Sequence, residues 1–193
     1  ESAGVRYLTM PLNYLGYGVE YAEVDKLPAH VSTSRYAGVV VWMDGQPNAA
    51  IQSKVNAWLA QRADENMPLV FMEDVSAMLE PTLARKLNLE VATDVTPTGE
   101  VKIVQQASMV GFEHQPRPHA SDFVPLNLKD GKPLLTLKKG DALQVAAAIT
   151  PWGGYLMAPF GVVTLPSDKE ARWITNPFSF LRDALHLPDL PIP

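Results

Sequence analysis

Few side chains in this sequence could do chemistry, and the acidic candidates follow two apolar segments. Asp44 comes directly after the run VVVWM, and Glu73 and Asp74 follow LVFM. If both runs are parallel strands, their carboxyl ends meet at one edge of a sheet, where α/β proteins bind ligands. Neighbouring carboxylates there could transfer protons or hold a cation. The alternative is that Asp44 makes a turn and Asp74 caps the next helix.

The turn after LVFM is the place where many hydrolases and amidotransferases of this architecture carry a nucleophile. Here the turn reads FMEDVS, with no cysteine, no Gly-x-Ser-x-Gly pattern and no glycine to relieve a strained backbone. Ser76 falls inside the helix predicted next. We therefore predict no catalytic residue. The alternative is a degenerate or unrecognised hydrolase that uses Asp44, Glu73 or Asp74.

Histidines offer a second possible chemistry, in the segment GFEHQPRPHAS. His114 and His119 are five residues apart, which does not match a helical metal motif. Loop folding could still bring them together with Glu113 or Asp122, but a surface loop is the simpler interpretation. The phosphate-binding patterns GxxxxGK[ST] and GxGxxG are absent. The sequence predicts no metal and no cofactor, with a flavodoxin-type flavin binder as the alternative.

Two aromatic residues flank a pair of glycines in TPWGGYLMAPFG, the most unusual composition in the chain. Glycines permit positive φ angles and close backbone approach. Trp152 and Tyr155 could therefore form an exposed pair that stacks on a sugar ring. The alternative is that Trp152 fills the gap between a hairpin and the sheet, because aromatic side chains usually dominate cores. The ligand-binding candidates are therefore Trp152 and Tyr155 together with Asp44, Glu73 and Asp74.

The elements that would position these residues alternate between strand and helix over residues 1–90. The strands are predicted in YGVEYAEV, AGVVVWM and MPLVFME, and the helices in LTMPLNYLG, DGQPNAAIQSKVNAWLAQRADEN and DVSAMLEPTLARKL. The first helix would begin at Thr9 as cap, with Pro11 in its first turn. This alternation indicates a parallel sheet flanked by helices, of flavodoxin-like or class I amidotransferase-like build.

The second half of the chain has a different pattern. Residues 91–175 contain short strand-like runs separated by turn signals such as Asp130-Gly131 and Gly140-Asp141, so hairpins packed on the first unit are expected. Residues 176–193 form a final helix, capped by Thr175 or Asn176, and a proline-rich connector to a following domain. We expect one compact domain overall.

Composition excludes several classes of function. The net charge of −5 argues against nucleic acid as a partner, because phosphate binding needs a basic face. No apolar run is long enough to cross a membrane as a helix. The chain has no cysteine, which excludes disulfides and thiol nucleophiles. This lack is compatible with the periplasm and equally with a bacterial cytosol.

Several stretches in order resemble one family. MPLNYLGYGVEY, YAGVVVWMDG, VNAWLAQ, ITPWGGYLMAP and RWITNPFSFLRDALHLPDLPIP look like the middle region of the PelA family, the large periplasmic proteins of Pel exopolysaccharide production in biofilms. The resemblance spans nearly the whole chain. It implies a parent with a glycoside hydrolase domain before this region and a polysaccharide deacetylase domain after it.

The motifs expected of those two catalytic domains are not found in this chain. The resemblance therefore implies a non-catalytic periplasmic module that scaffolds the adjacent domains or contacts glycan or a partner. The partners implied are the flanking domains of the parent chain, a partly deacetylated and thus cationic polysaccharide, or other biosynthesis proteins. Whether the fragment has any enzyme activity is left open, although its parent would be an enzyme.

Overall fold

A computed structural model describes residues 3–43, 47–92, 101–117, 123–164 and 170–188. Within these residues the chain forms five α-helices and ten strands. The helices are α1 (Ala3–Tyr14), α2 (Ala49–Asp64), α3 (Val75–Met78), α4 (Pro81–Lys86) and α5 (Pro177–Ala184).

Six of the strands form one mixed sheet in the order β1-β2-β8-β7-β6-β4. The other strands form two small antiparallel pairs, β3 with β5 and β9 with β10. The strands are β1 (Val39–Met43), β2 (Leu69–Glu73), β3 (Leu89–Val91), β4 (Val101–Gln106), β5 (Leu126–Leu128), β6 (Lys132–Lys139), β7 (Ala142–Thr150), β8 (Gly153–Met157), β9 (Val162–Thr164) and β10 (Ala171–Trp173).

The parallel part of the main sheet contains three strands, fewer than a flavodoxin-like sheet would have. β1 pairs with β2 and β2 with β8 in parallel, whereas β8, β7, β6 and β4 pair in antiparallel fashion. The third parallel strand comes from the second half of the chain, not from residues 1–90. The prediction of helices and strands with a β-rich second half and a final helix is confirmed. The prediction of a parallel sheet is corrected: the sheet is mixed and mostly antiparallel, because hairpin strands of the second half extend it.

The N-terminal segment departs from the predicted pattern in two ways. Helix α1 begins at Ala3, six residues before the predicted cap Thr9, and it contains Pro11. The alternating segment YGVEYAEV is not a strand but an extended stretch that ends in a 3₁₀ turn, Val24–Lys26. Its alternation reflects packing, because Tyr17 and Val19 lie against the core while no strand in the described part of the chain pairs with them.

The predicted hairpins are present in the second half. β6 and β7 are joined at Gly140-Asp141, and β7 and β8 at Pro151-Trp152. Two-residue loops of this kind bring the next strand directly back along its neighbour. The second hairpin places β8 beside β2, and so links the two halves of the chain in one sheet.

Helix α2 covers one face of β2 and also organises the polar connection between α3 and α4. Asn48 caps α2 by accepting a hydrogen bond from the Ile51 N–H, at 2.9 Å. The buried Asn56 amide donates to the Met78 carbonyl oxygen and accepts from the Glu80 N–H. These bonds satisfy backbone groups at the α3–α4 break, which could not otherwise be buried without cost.

Helix α5 is the last helix or strand in the described part of the chain, as predicted. The Asn176 side chain accepts hydrogen bonds from the backbone N–H groups of Phe178 and Ser179 and caps the helix, and Pro177 occupies the first turn. Phe180, Leu181 and Ala184 are fully buried in the core. Among the described residues no helix is long and apolar enough to cross a membrane.

Candidate functional site

The carboxyl ends of the three parallel strands form the edge where the sequence predicts a site. Met43, Glu73 and Met157 are neighbours in register at the ends of β1, β2 and β8. Glu73 therefore lies between two methionines and not beside another carboxylate at that register position. Asp44, the predicted partner, lies outside the described residues.

Glu73 has an unusual backbone conformation. Its φ angle is +73°, a region that side-chain-bearing residues rarely adopt. The residue joins β2 to α3, so a sharp strand-to-helix turn of the kind that presents nucleophiles is present here without glycine. One carboxylate oxygen is shielded from solvent and packs against Gly161, where an added β-carbon would be only 3.0 Å from that oxygen. The strained turn thus presents a partly buried carboxyl group.

Asp74 and Ser76 both help to hold this turn. The Asp74 N–H donates a 3.0 Å hydrogen bond to the Met43 carbonyl oxygen and so extends the β1–β2 ladder by one residue. Asp74 occupies the N-cap position of α3, but its side chain makes no capping hydrogen bond. The Ser76 hydroxyl donates to the Val124 carbonyl oxygen at 2.6 Å. That hydroxyl proton is therefore already engaged within the fold.

Trp152 lies at the opposite end of the sheet from Glu73. Its carbonyl oxygen accepts from the Leu69 N–H, at the beginning of β2, about 13 Å along the strand from Glu73. The Trp152 indole N–H donates to the Leu87 carbonyl oxygen at 2.8 Å, and its ring packs edge-on against Phe71. These contacts match the packing alternative, in which Trp152 fills the space beside a hairpin.

Tyr155 is fully buried in the middle of β8. Its hydroxyl donates a 2.9 Å hydrogen bond to the Val145 carbonyl oxygen on the neighbouring strand β7. Burial raises the pKa of the Tyr155 hydroxyl well above its ordinary value. The side chain therefore presents no ring face to a ligand. Of the candidates that the structure describes, Trp152 and Tyr155 are not brought together with Glu73 and Asp74 in one site.

The two glycines between these aromatics have a structural use. Gly153 has a φ angle of +144°, and an added β-carbon would lie 1.8 Å from the Leu69 carbonyl oxygen. At Gly154 an added β-carbon would meet the Ala148 carbonyl oxygen at 2.7 Å and Ala184 of α5 at 3.1 Å. The pair allows β8 to lie close to its neighbours and to α5.

The described histidines do not gather into a metal site. His114 shares a 2.7 Å hydrogen bond with the Gln115 carbonyl oxygen in its own loop, and Glu113 accepts from the Trp173 N–H. His119 and Asp122 lie outside the described residues. Within the part of the chain that the structure describes, no group of three or more histidine, aspartate or glutamate residues is placed to hold a metal ion.

A network of ionisable groups with shifted pKa values lies on the surface of the N-terminal segment. Glu20 accepts hydrogen bonds from the Tyr36 hydroxyl at 2.5 Å and from the Arg35 guanidinium at 2.8 Å. Both bonds lower the pKa of the Glu20 carboxyl group, and the bond from Tyr36 has the larger effect. All three side chains are in contact with solvent, so the network links two surface segments and does not form a pocket.

One shallow concave surface, of about 360 Å³, lies beside α4 and β3. Its lining is mostly apolar, with Arg85 and Glu90 as the charged members. None of the predicted site residues lines it.

Sequence reasoning missed an aromatic group on α1. Tyr7, Met10 and Tyr14 are spaced so that they lie along one side of the helix, beside its buried face. The Tyr7 ring stacks on Trp42 of β1 with centroids 5.8 Å apart, and both contact Trp173 edge-on. The spacing was visible in the sequence, but a helix that begins at Thr9 excludes Tyr7 from the pattern.

Comparison with known proteins adds no relative to this description. No protein-family model matches the sequence, and a search of curated proteins finds no match.

Proposed function

We propose that this chain is a non-catalytic module of an exopolysaccharide-modifying protein of the Pel type, acting in the periplasm. It would scaffold adjacent hydrolase and deacetylase domains and contact the glycan or a partner protein. The proposal begins from the family resemblance of the sequence. The observation that carries it further is the register at the strand ends, where Glu73 lies between Met43 and Met157.

This register matters because the two in-register neighbours of Glu73 are apolar methionines, whereas hydrolytic sites place ionisable or nucleophilic side chains at such strand ends. A nucleophile needs a base within hydrogen-bond reach, and acid–base hydrolysis of a glycosidic bond uses two carboxyl groups. The Ser76 hydroxyl is engaged with a backbone carbonyl oxygen, and the apolar side chains of the two methionines cannot transfer protons. The described strand ends therefore favour a binding or scaffolding role.

The finer fold assignment is also a proposal. An amidotransferase-like ancestry is supported by the sharp turn at Glu73 after the central parallel strand β2, with α2 connecting β1 to β2. The absence of a cysteine from the whole sequence means that such a module would lack the nucleophile of an active amidotransferase.

The test measures binding and turnover with the same substrates. Acetylated and deacetylated galactosaminoglycan oligosaccharides are titrated into the chain, and released acetate and new reducing ends are measured in parallel. We expect binding without turnover, and tighter binding of the deacetylated, cationic oligosaccharide by this acidic protein. Turnover that remains after repurification would contradict a non-catalytic role.

A second candidate function is a hydrolase that uses Glu73. It is favoured by the positive φ angle, because strained backbone at a strand-to-helix turn often marks a reactive residue. The Glu73→Gln variant separates the two functions, since it keeps the size of the side chain and removes its charge. If any hydrolysis is observed, loss of that activity in Glu73→Gln, with an unchanged activity in Glu90→Gln as control, would support the hydrolase.

A further inference from the structure

The outward side of α1 carries an exposed patch, which we call the α1 patch and define as Met10, Tyr14, Tyr21 and Phe178. Met10 is 59% exposed, Tyr14 71% and Tyr21 54%. Met10 and Tyr14 are one helical turn apart on α1, and Tyr21 returns to the same helix from the extended segment that follows. Apolar side chains exposed together in this way mark interaction sites more often than single exposed residues do.

The two tyrosine rings of the patch are held in place. The Tyr21 hydroxyl is hydrogen-bonded to the Thr9 hydroxyl, and the Tyr14 ring packs against Phe178 of α5 with centroids 4.9 Å apart. Rings that are already positioned lose little conformational entropy on binding. The two rings are therefore positioned by the fold before any ligand binds.

The size of the patch argues against a stable protein partner. Its three exposed side chains leave about 400 Å² in contact with water, if each fully exposed side chain presents about 200 Å². A stable protein complex buries about 800 Å² on each partner. A second copy of this chain seated on the patch would therefore cover only half the area that a stable dimer needs.

The charges around the patch argue against a membrane surface. Membrane-binding helices surround their apolar face with lysine and arginine. Here the exposed Glu20 and Glu23 flank Tyr21, Arg35 is paired with Glu20, and Lys26 is paired with Glu23. Two more basic residues lie near the patch: Arg6 on α1 lies over the Tyr7 ring, and Arg182 on α5 is paired with Asp183. Among the described residues, acidic side chains thus accompany the basic ones, and no collar of lysine and arginine alone surrounds the patch.

We infer that the α1 patch binds the sugar rings of a polysaccharide chain. The C–H faces of a sugar would stack on the electron-rich faces of Tyr14 and Tyr21, with the exposed Met10 as a further apolar surface on α1. The exposed Asn13 amide, next to Tyr14, and the tyrosine hydroxyls could exchange hydrogen bonds with sugar hydroxyls. This inference rests on the proposed function, because it names the surface through which the module would contact glycan.

The patch also has a direction along which a sugar chain could extend. Tyr7 lies two turns before Tyr14 on the same face of α1, about 10 Å away along the helix axis. Tyr7 in turn joins the aromatic group formed with Trp42 and Trp173. A bound oligosaccharide would therefore follow α1 from Tyr14 toward Tyr7.

The test uses the full chain and four hexasaccharide probes: acetylated and deacetylated galactosaminoglycan, cellohexaose and chitohexaose. NMR titration follows the Met10 methyl group and the tyrosine ring signals, and gives a Kd for each probe. The variants are Tyr14→Ala and Tyr21→Ala. The controls are Tyr14→Phe, which keeps the ring, and Leu143→Ala, which removes a side chain that is 57% exposed on β7, three strands away from β1.

We expect at least one probe to shift the Met10 and tyrosine signals. Each alanine variant should weaken its binding by about fivefold or more, whereas the two controls should stay within about twofold of the wild type. Thermal unfolding should show that the alanine variants are folded, because both side chains are more than half exposed.

The remaining outcomes separate this inference from the proposed function. Galactosaminoglycan binding that is unchanged in both alanine variants overturns the α1 patch and leaves the proposed function standing. Binding of only the two glucose-based probes, lost in the alanine variants, supports the patch and contradicts a Pel-type ligand. No binding of any probe overturns the patch as a sugar site and the glycan contact together.

Discussion

Gly153 has a conformation and a neighbour that no other residue can accommodate. Its φ angle is +144°, and the position of an added β-carbon is 1.8 Å from the Leu69 carbonyl oxygen. Because that oxygen belongs to the backbone of the central strand β2, no side-chain movement can relieve the overlap. The close approach of β8 to β2 depends on this glycine.

We predict that Gly153→Ala lowers the free energy of unfolding by more than about 3 kcal/mol. Gly18→Ala is the control, because Gly18 is exposed, has no positive φ angle and has nothing within 4 Å of an added β-carbon. Urea denaturation of both variants measures the difference. Equal stabilities of the two variants would mean that β8 does not lie against β2 as described.

Tyr155 links stability to alkaline pH. Its pKa is raised in the folded protein by burial, so the folded state keeps the phenolic proton after the unfolded state has lost it. The free energy of unfolding therefore falls as the pH rises above about 10, by at most about 1.4 kcal/mol per pH unit for this group. Below about pH 10 the contribution of the protonated Tyr155 to the free energy of unfolding is fully present.

We predict that Tyr155→Phe removes this part of the alkaline loss. At pH 7 the variant should be less stable than the wild type by about 1 kcal/mol, because the Val145 carbonyl oxygen loses its donor. The stability difference should shrink as the pH rises above 10. Denaturant unfolding at a series of pH values tests this, and two parallel stability curves would exclude Tyr155 as the titrating group.

At the scale of elements, three helices end in the same way. Asn66, Asn88 and His186 directly follow the C-caps of α2, α4 and α5, with φ angles between 54° and 58°. After α2, the N–H groups of Asn66 and Met67 donate to carbonyl oxygens of the last helical turn. After α5, those of His186 and Leu187 do the same, as in a Schellman motif. Asparagine tolerates the left-handed conformation but favours it less than glycine does.

We predict that Asn66→Gly raises the free energy of unfolding by a few tenths to about 1 kcal/mol. Asn13→Gly is the matched control, because it places the same change on an exposed position inside α1, where glycine should lower the free energy of unfolding by a few tenths of a kcal/mol. Thermal or urea unfolding of the two variants measures whether the free energy of unfolding rises or falls in each. A loss of stability in Asn66→Gly would mean that the amide side chain has a role that the geometry does not show.

Another connection between elements is made by α2 and the segment that leads to β1. The Trp58 indole N–H donates to the Pro28 carbonyl oxygen at 2.7 Å, and the buried Arg62 guanidinium donates to the Ala29 carbonyl oxygen. Arg62 also lies over the Trp58 ring and forms an ion pair with Glu65. Arg62 is thus buried with its charge paired, which is the condition under which a charged side chain can be accommodated in the interior.

At the scale of the whole molecule, the position of β8 joins the two halves of the chain. Strand β8 follows more than 60 residues after β2 in sequence, but it lies between β2 and β7 in the sheet. Helix α1 also packs against α5 at the other end of the chain, through contacts that include Tyr14 and Phe178. Residues 1–90 alone would leave β2 without its β8 partner.

We therefore predict that a fragment of residues 1–92 does not fold, whereas the full chain unfolds in one transition. Tryptophan fluorescence reports on both halves, since Trp42 and Trp58 lie in the first and Trp152 and Trp173 in the second. In a single transition its unfolding curve should coincide with that from far-UV circular dichroism. Dispersed NMR signals from the 1–92 fragment, or two separate transitions, would show that the halves fold independently.

Local signals in the sequence predicted many of the elements. The Asn176-Pro177 pair marks the start of α5, Gly140-Asp141 marks a hairpin, and the apolar run AGVVVWM contains β1. These signals act over a few residues, through a cap, a turn or a side-chain period, so a single sequence carries them directly. The lack of cysteine and of phosphate-binding motifs was equally visible in the residues alone.

Tertiary structure decided which strands are neighbours and which side chains are exposed. The alternation of Tyr17, Val19 and Tyr21 is not matched by a partner strand, and β8 became the third parallel strand because Gly153 lets it approach β2. Burial of Tyr155 and exposure of Tyr14 follow from that arrangement and not from the residue type, which is the same in both cases. Strand pairing and burial depend on contacts between residues far apart in sequence, and these contacts exist only after the chain has folded.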